Sequence, residues 1–333
     1  MQRRRPRERI LLQLDFGGPI VDDRLIENTR RQTAMKTARE SGVLSAFAAN
    51  AARKSPALAN FMQQVSLADF RAAYKQGKET LKADSSGAEA YDDINRTAAT
   101  LLEAARAKNP SLVSGLSYKD ITAGINKKRR MAFFRRFAGP VERAAYKSIN
   151  SELFSTIAGM MQKAKAGGIK IRIDVVTDNN PILYRTAFQK AISSAAREYA
   201  KEAGRHLPKI RYRRRPKTMF GKAVRATTLL LSPAGKSRVY ISGESWGNKK
   251  NPETWKRILK DRDVEKGEKV IFVDDSLKKL RGFHEGTTAF GAQPVAVWLD
   301  LKKEAPINLQ GTATSEGFRH FTIHSIRQLL RIQ

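Results

Sequence analysis

Residues 269–280 read KVIFVDDSLKKL. The apolar run VIFV stops at two adjacent aspartates, Asp274 and Asp275, and a helical pattern follows. A short continuous apolar run bounded by polar residues reads as a strand buried on both faces. Comparable runs occur at 10–15 (ILLQLD), 169–176 (IKIRIDVV), 238–242 and 293–298, with a weaker one at 320–323. From 169 onward these alternate with helical patterns at 182–204, 252–262, 276–284 and 324–331. Such alternation predicts a parallel sheet with helices on both faces, joined by the first strand, ILLQLD.

The stretch between the first two strands is helical throughout. TAMKTARESGVLSAFAANAAR at 33–53, LADFRAAYKQGKETLKA at 67–83 and AEAYDDINRTAATLLEAARAK at 88–108 repeat apolar residues at three- and four-residue steps. Ser117 and Asp120 form a capping-box-like start for a basic helix to about 137. Gly139-Pro140 predicts a break, with Pro140 opening a helix over 141–166 and Gly167-Gly168 ending it. The expected organisation is an α/β core from 1–23 and 167–333, interrupted by an all-helical insertion over 24–166. Phe133, Phe134 and Phe137 read as the apolar face of the basic helix rather than as base-stacking platforms.

Composition narrows the function. The 333 residues hold 63 Lys and Arg against 32 Asp and Glu, a formal charge of +31. No cysteine is present, which removes disulfides, thiol catalysis and thiolate metal sites. His206, His284, His320 and His324 are scattered and read as packing or surface residues. No apolar run approaches the ~18 residues of a membrane span, and no signal-peptide core follows the basic start. The expectation is a soluble, cytoplasmic protein; export without a cleaved signal stays open, as does the oligomeric state. Basic residues cluster at Arg3–Arg7, at Lys127–Arg136 and at Lys209–Lys217, so nucleic acid or another polyanion is an expected partner. A solvated basic surface without a partner is the alternative.

Ligands of open parallel sheets bind beyond the carboxyl ends of the strands. Those ends carry Asp15 in LDFGGPIVDD, Thr177 in VVTDNNP, Lys249 and Lys250 in SGESWGNKKNPETW, and Asp274-Asp275 in VIFVDDS. A carboxylate, a hydroxyl, an ammonium and a carboxylate pair are thereby expected around one crevice.

Order and context resemble the haloacid dehalogenase-like (HAD) hydrolase superfamily, an α/β Rossmannoid fold with a helical cap. Asp15 matches its nucleophilic aspartate and Gly18 the glycine of the following turn. Thr177 matches the second motif, KKNPETW the third with Lys249 or Lys250 as its lysine, and FVDDS at 272–276 the fourth. The resemblance covers about 1–23 and 169–333, and the helical insertion falls where the family places its cap. It implies a magnesium-dependent phosphatase acting through an aspartyl-phosphate on Asp15. It further implies Mg2+ on Asp15, the Gly17 carbonyl, and Asp274 or Asp275. Thr177, Asp178, Asn179 and Gly18 would contact substrate, Lys249 would stabilise the transferring group, and the cap would choose among phosphorylated small molecules or nucleotides.

One position departs from the pattern. Most phosphatases of the family carry a second aspartate two residues after the nucleophile, as general acid and base; here Gly17 stands there. Glycine cannot protonate a leaving group. Asp22 or Asp23 would substitute only if the turn folds back. A carbon–halogen hydrolase, whose branch also lacks that aspartate, and a scaffold with little turnover that binds nucleic acid are the alternatives.

Overall fold

The computed structural model describes residues 9–85, 87–202, 238–241, 246–313 and 317–332. Arg3–Arg7, Lys209–Lys217 and His206 lie outside them. The strands are β1 (Arg9–Asp15), β2 (Lys170–Thr177), β3 (Val239–Ile241), β4 (Lys269–Asp274), β5 (Gln293–Leu299), β6 (Asn308–Ala313) and β7 (Arg319–Ile323). They form one sheet in the order β3-β2-β1-β4-β5-β7-β6, parallel except for the antiparallel edge strand β6. β6 escapes the sequence reading because NLQGTA lacks an apolar run.

The helices are α1 (Asp23–Glu40), α2 (Val43–Ala52), α3 (Pro56–Gln64), α4 (Leu67–Asp84), α5 (Asp93–Lys108), α6 (Tyr118–Thr122), α7 (Lys127–Lys147), α8 (Leu153–Ala166), α9 (Pro181–Leu183), α10 (Gln189–Glu202), α11 (Pro252–Asp261) and α12 (Leu277–Phe290). Two compact units result. One holds Met1–Asp23, Ala145–Asp178 and Gln189–Gln333, as far as these are described; the other holds Arg24–Ala144 and Asn179–Phe188. This corrects the expected insertion of 24–166. Residues 145–166 go with the sheet because α8 packs on β2 and on the last helical turn, Ile326–Arg331.

The expected break at Gly139-Pro140 is a second correction: α7 runs through Pro140 without stopping. Its buried residues Phe133, Phe134, Phe137, Ala138, Val141, Ala144 and Ala145 keep the helical phase across the proline. Packing of that stripe outweighs the ~3 kcal/mol that an interior proline costs. The chain turns instead at 148–150, where Asp22 N–H donates to Ser148 O (2.9 Å) and Asn150 N–H to Ile20 O (2.9 Å). The Ser117–Asp120 capping box is present, but it opens only the short α6.

Within the sheet unit both faces of the strands are covered. Leu11, Val270, Phe272 and Ala296 pack with Trp255, Ile258, Leu280 and Phe283 of α11 and α12. On the opposite face Ile10, Ile171, Ile271 and Val295 line a cavity of about 210 Å³ together with Met160 and Ala164 of α8. Within the helical unit, Leu58, Phe70, Leu81, Ile94, Leu101 and Phe133 are buried. Glu27 on α1 there joins Lys78 of α4 (3.0 Å) and Arg96 of α5 (3.2 Å).

Two glycines set the approach of α12 to the segment before α11. A Cβ on Gly282 would lie 2.5 Å from Lys250 O, and one on Gly286 2.4 Å from Pro252 O. Backbone cannot yield as a flexible side chain can. We expect Gly286→Ala to lower stability by about 1–3 kcal/mol, read as a shift of the urea midpoint at unchanged slope.

Candidate active site

Strand register builds the centre. Leu14 pairs with Val273 across β1 and β4, so Asp15 and Asp274 follow side by side at the two strand ends. On the other flank Asp15 pairs with Val176, and Thr177 closes β2 one residue later. Asp15 is 3 % exposed, Thr177 1 %, and Asp274 fully buried.

The loop before α11 supplies the counter-charge. Asn251 caps α11 by accepting from Glu253 N–H (3.0 Å), and Pro252 occupies the first helical turn. Trp255, buried against Phe272 and Phe283, donates its indole N–H to Lys249 O at 2.7 Å. Of the two lysines, Lys249 points inward and is fully buried, while Lys250 is exposed. Lys249 Nζ lies 2.6 Å from Asp15 Oδ1, 3.1 Å from Asp274 Oδ2 and 3.7 Å from Asp178 Oδ2.

A second ammonium joins from α12. Lys279 Nζ lies 3.3 Å from Asp15 Oδ2, 3.4 Å from Asp178 Oδ2 and 3.7 Å from Asp274 Oδ1. Sequence reasoning missed this residue. Its only signal is a lysine in the first turn of the helix after the paired aspartates.

These neighbours fix the charge states. Burial would raise the Asp15 carboxyl, but Lys249 and Lys279 outweigh it and hold it down to about 2. Burial, then the charge of Asp15, pushes Asp274 well above the carboxylate range against the pull of both lysines. Burial would strip a proton from Lys249 and from Lys279; Asp15 and Asp274 reverse that and keep both protonated. Asp15 Oδ1 also accepts from Phe16 N–H (2.7 Å), and Asp274 Oδ1 from Ser276 N–H (2.9 Å).

The other expected residues take distinct places. Asp178 sits with the two lysines, as an ionic neighbour of the centre. Gly18 takes φ +81°, a Cβ there would come 3.1 Å from Asp275 Cβ, and its N–H donates to Val21 O (2.8 Å). Asn179 belongs to the helical unit, where its side-chain oxygen accepts from Arg30 Nη2 at 3.2 Å. Gly17 is buried in the turn after β1.

The oxygens suit a hard divalent cation. One carboxylate oxygen from each of Asp15, Asp274 and Asp275 lies within 4.8 Å of the others. Asp15, Asp178 and Asp274 each lie within 3.7 Å of Lys249 or Lys279, and Asp275 adds a further carboxylate beside Asp15 and Asp274. Magnesium prefers oxygen donors of this kind.

No protein-family model matches the chain, and no curated protein does. Among solved structures it is similar to YfnB of Bacillus subtilis, solved with magnesium, at 15 % identity and TM-score 0.48 over 98 % of this chain and 99 % of that one. It is similar to a 2-haloacid dehalogenase of Pseudomonas syringae at 11 % and 0.45 (97 % and 96 % covered). It is also similar to CbbY of Rhodobacter sphaeroides, solved with phosphate, at 13 % and 0.42 (97 % and 96 %).

Removing Lys249 would leave Asp15 and Asp274 buried with one fewer counter-charge. Lys249→Met is expected to cost about 3–5 kcal/mol at neutral pH without divalent metal. With the ammonium gone, burial and the charge of Asp15 hold the Asp274 carboxyl above its unfolded pKa. The lost stability therefore returns as pH falls through that raised value, which urea titrations at pH 7 and pH 5 would read.

The strand order and the parallel register give this chain an open α/β sheet, with the segments that hold Asp15, Thr177, Lys249 and Asp274 at or just beyond its strand ends.

Proposed function

We propose that the chain is a magnesium-dependent phosphoric-ester hydrolase that uses Asp15 as nucleophile on a phosphorylated small molecule or nucleotide. The observation that carries this reading is the buried Asp15 carboxylate, kept ionised at a strand end by Lys249 and Lys279. A carboxylate so held can attack phosphorus and form an acyl-phosphate, dividing hydrolysis into two steps. The two ammoniums would meet charge that develops on the phosphoryl oxygens, in a site that needs no reorganisation to provide it. Thr177, at the neighbouring strand end, would contact a phosphoryl oxygen. Mg2+, held by Asp15, Asp274, Asp275 and the Gly17 carbonyl, would screen the repulsion between an anionic ester and the carboxylates.

Asp15→Asn is expected to lower phosphate release from the best substrate of a phosphoester panel by at least about 10^3-fold. Chelation should abolish release by the parent protein, and added Mg2+ should restore it. Unchanged release from Asp15→Asn would end the reading.

A second reading concerns the surface and rests on α7. Lys128, Arg129, Arg135, Arg136 and Arg143 are exposed on this helix. Among the described residues no carboxylate pairs with them, whereas Arg130 is bound to Asp92. Unpaired cations along one helix suit a polyanion such as nucleic acid. The triple variant Arg135→Ala, Arg136→Ala, Arg143→Ala should weaken oligonucleotide binding. It should also flatten the slope of log K against log salt by about 2–3, measured by fluorescence anisotropy; an unchanged slope would remove α7 from the interface.

A further inference from the structure

The place where a side chain at position 17 would stand is already filled. A Cβ built on Gly17 would lie 2.3 Å from Asp23 Oδ2, 3.1 Å from its Cγ and 3.3 Å from its Oδ1. An aspartate at 17 would hold its own carboxylate oxygens about 2.4 Å from that Cβ, by standard bond lengths. The carboxylate of Asp23 thus occupies space that a carboxylate at 17 would claim. Gly17 is not among the residues of positive φ, so its backbone does not call for glycine. What the missing side chain admits is Asp23.

The turn brings Asp23 back by its own hydrogen bonds. Gly18 N–H donates to Val21 O (2.8 Å) and Val21 N–H to Phe16 O (3.0 Å). Gly17 and Val21 form a bridge, and the Asp22 N–H bond to Ser148 O fixes the returning limb. Asp23 itself is exposed, at the first residue of α1.

Resting on the hydrolase reading above, we propose that Asp23 is the general acid–base of the Asp15 reaction, and that Gly17 is small in order to admit it. In the first step an Asp15 oxygen bonds to the ester phosphorus and the P–O bond to the leaving group breaks. The electron pair of that bond goes to the leaving oxygen, which takes the proton of Asp23 and departs as an alcohol. In the second step the Asp23 carboxylate takes a proton from water while the water oxygen bonds to phosphorus. The bond from phosphorus to Asp15 breaks, freeing inorganic phosphate and the Asp15 carboxylate, with Asp23 protonated again.

The test compares two probes, p-nitrophenyl phosphate and glycerol phosphate, whose leaving oxygens differ in their need for a proton. Asp23→Asn is expected to lower kcat/KM for glycerol phosphate by about 10^2–10^4-fold and for the aryl ester by less than about tenfold. Gly17→Asp combined with Asp23→Ala should restore turnover of the alkyl ester. A merely structural role would lower both esters by the same factor. An equal loss on both, no loss on the alkyl ester, or no recovery in the exchange variant overturns the proposal. Asp15→Asn is run alongside. A parent protein inert on both esters, or an Asp15→Asn protein as active as the parent, overturns the hydrolase reading and the role of Asp23 with it. An active parent with inert Asp15→Asn and indifferent Asp23→Asn overturns the role of Asp23 alone.

Discussion

Everything at the centre depends on the ammonium of Lys249. It is fully buried and touches Asp15 and Asp274, which the sheet register sets side by side. Two carboxylates at adjacent strand ends repel, and burial raises the cost of keeping either ionised. Lys249 offsets that cost, and its own burial is tolerable only because the carboxylates are there. The loop that carries it is therefore anchored twice, by the Trp255 indole on its carbonyl and by the Asn251 cap on α11.

The same packing extends to α12. Gly282 and Gly286 let that helix lie against the backbone of Lys250 and Pro252, and the helix begins where β4 ends in Asp274. Its first turn therefore projects Lys279 into the carboxylates. Core contacts among Trp255, Phe272 and Phe283 thus help to seat both charges, and the Phe272 ring lies 5.7 Å from Lys249 Nζ.

The turn after β1 shows a different economy. The turn brings Asp23 back beside Gly17, and Gly17 and Gly18 make room in different ways. Gly18 adopts a positive φ close to Asp275, while Gly17 leaves space for the Asp23 side chain.

What the sequence by itself determined is the set of strand ends. The apolar runs end at residues that carry charge or a hydroxyl, although Gln13 and Asp174 are also buried within β1 and β2. Asp15, Thr177 and Asp274 were legible from those ends, and Lys249 or Lys250 from its position before a helix. Tertiary structure alone decided the rest. Lys249 rather than Lys250 turns inward. The inclusion of Lys279 follows from the seating of α12, and the nearness of Asp23 from hydrogen bonds within the turn. The run of α7 through Pro140 follows from an apolar stripe that needs partners to be worth burying. Local pattern records what a residue prefers; distances between side chains remote in sequence arise only when the packed sheet and helices bring them together.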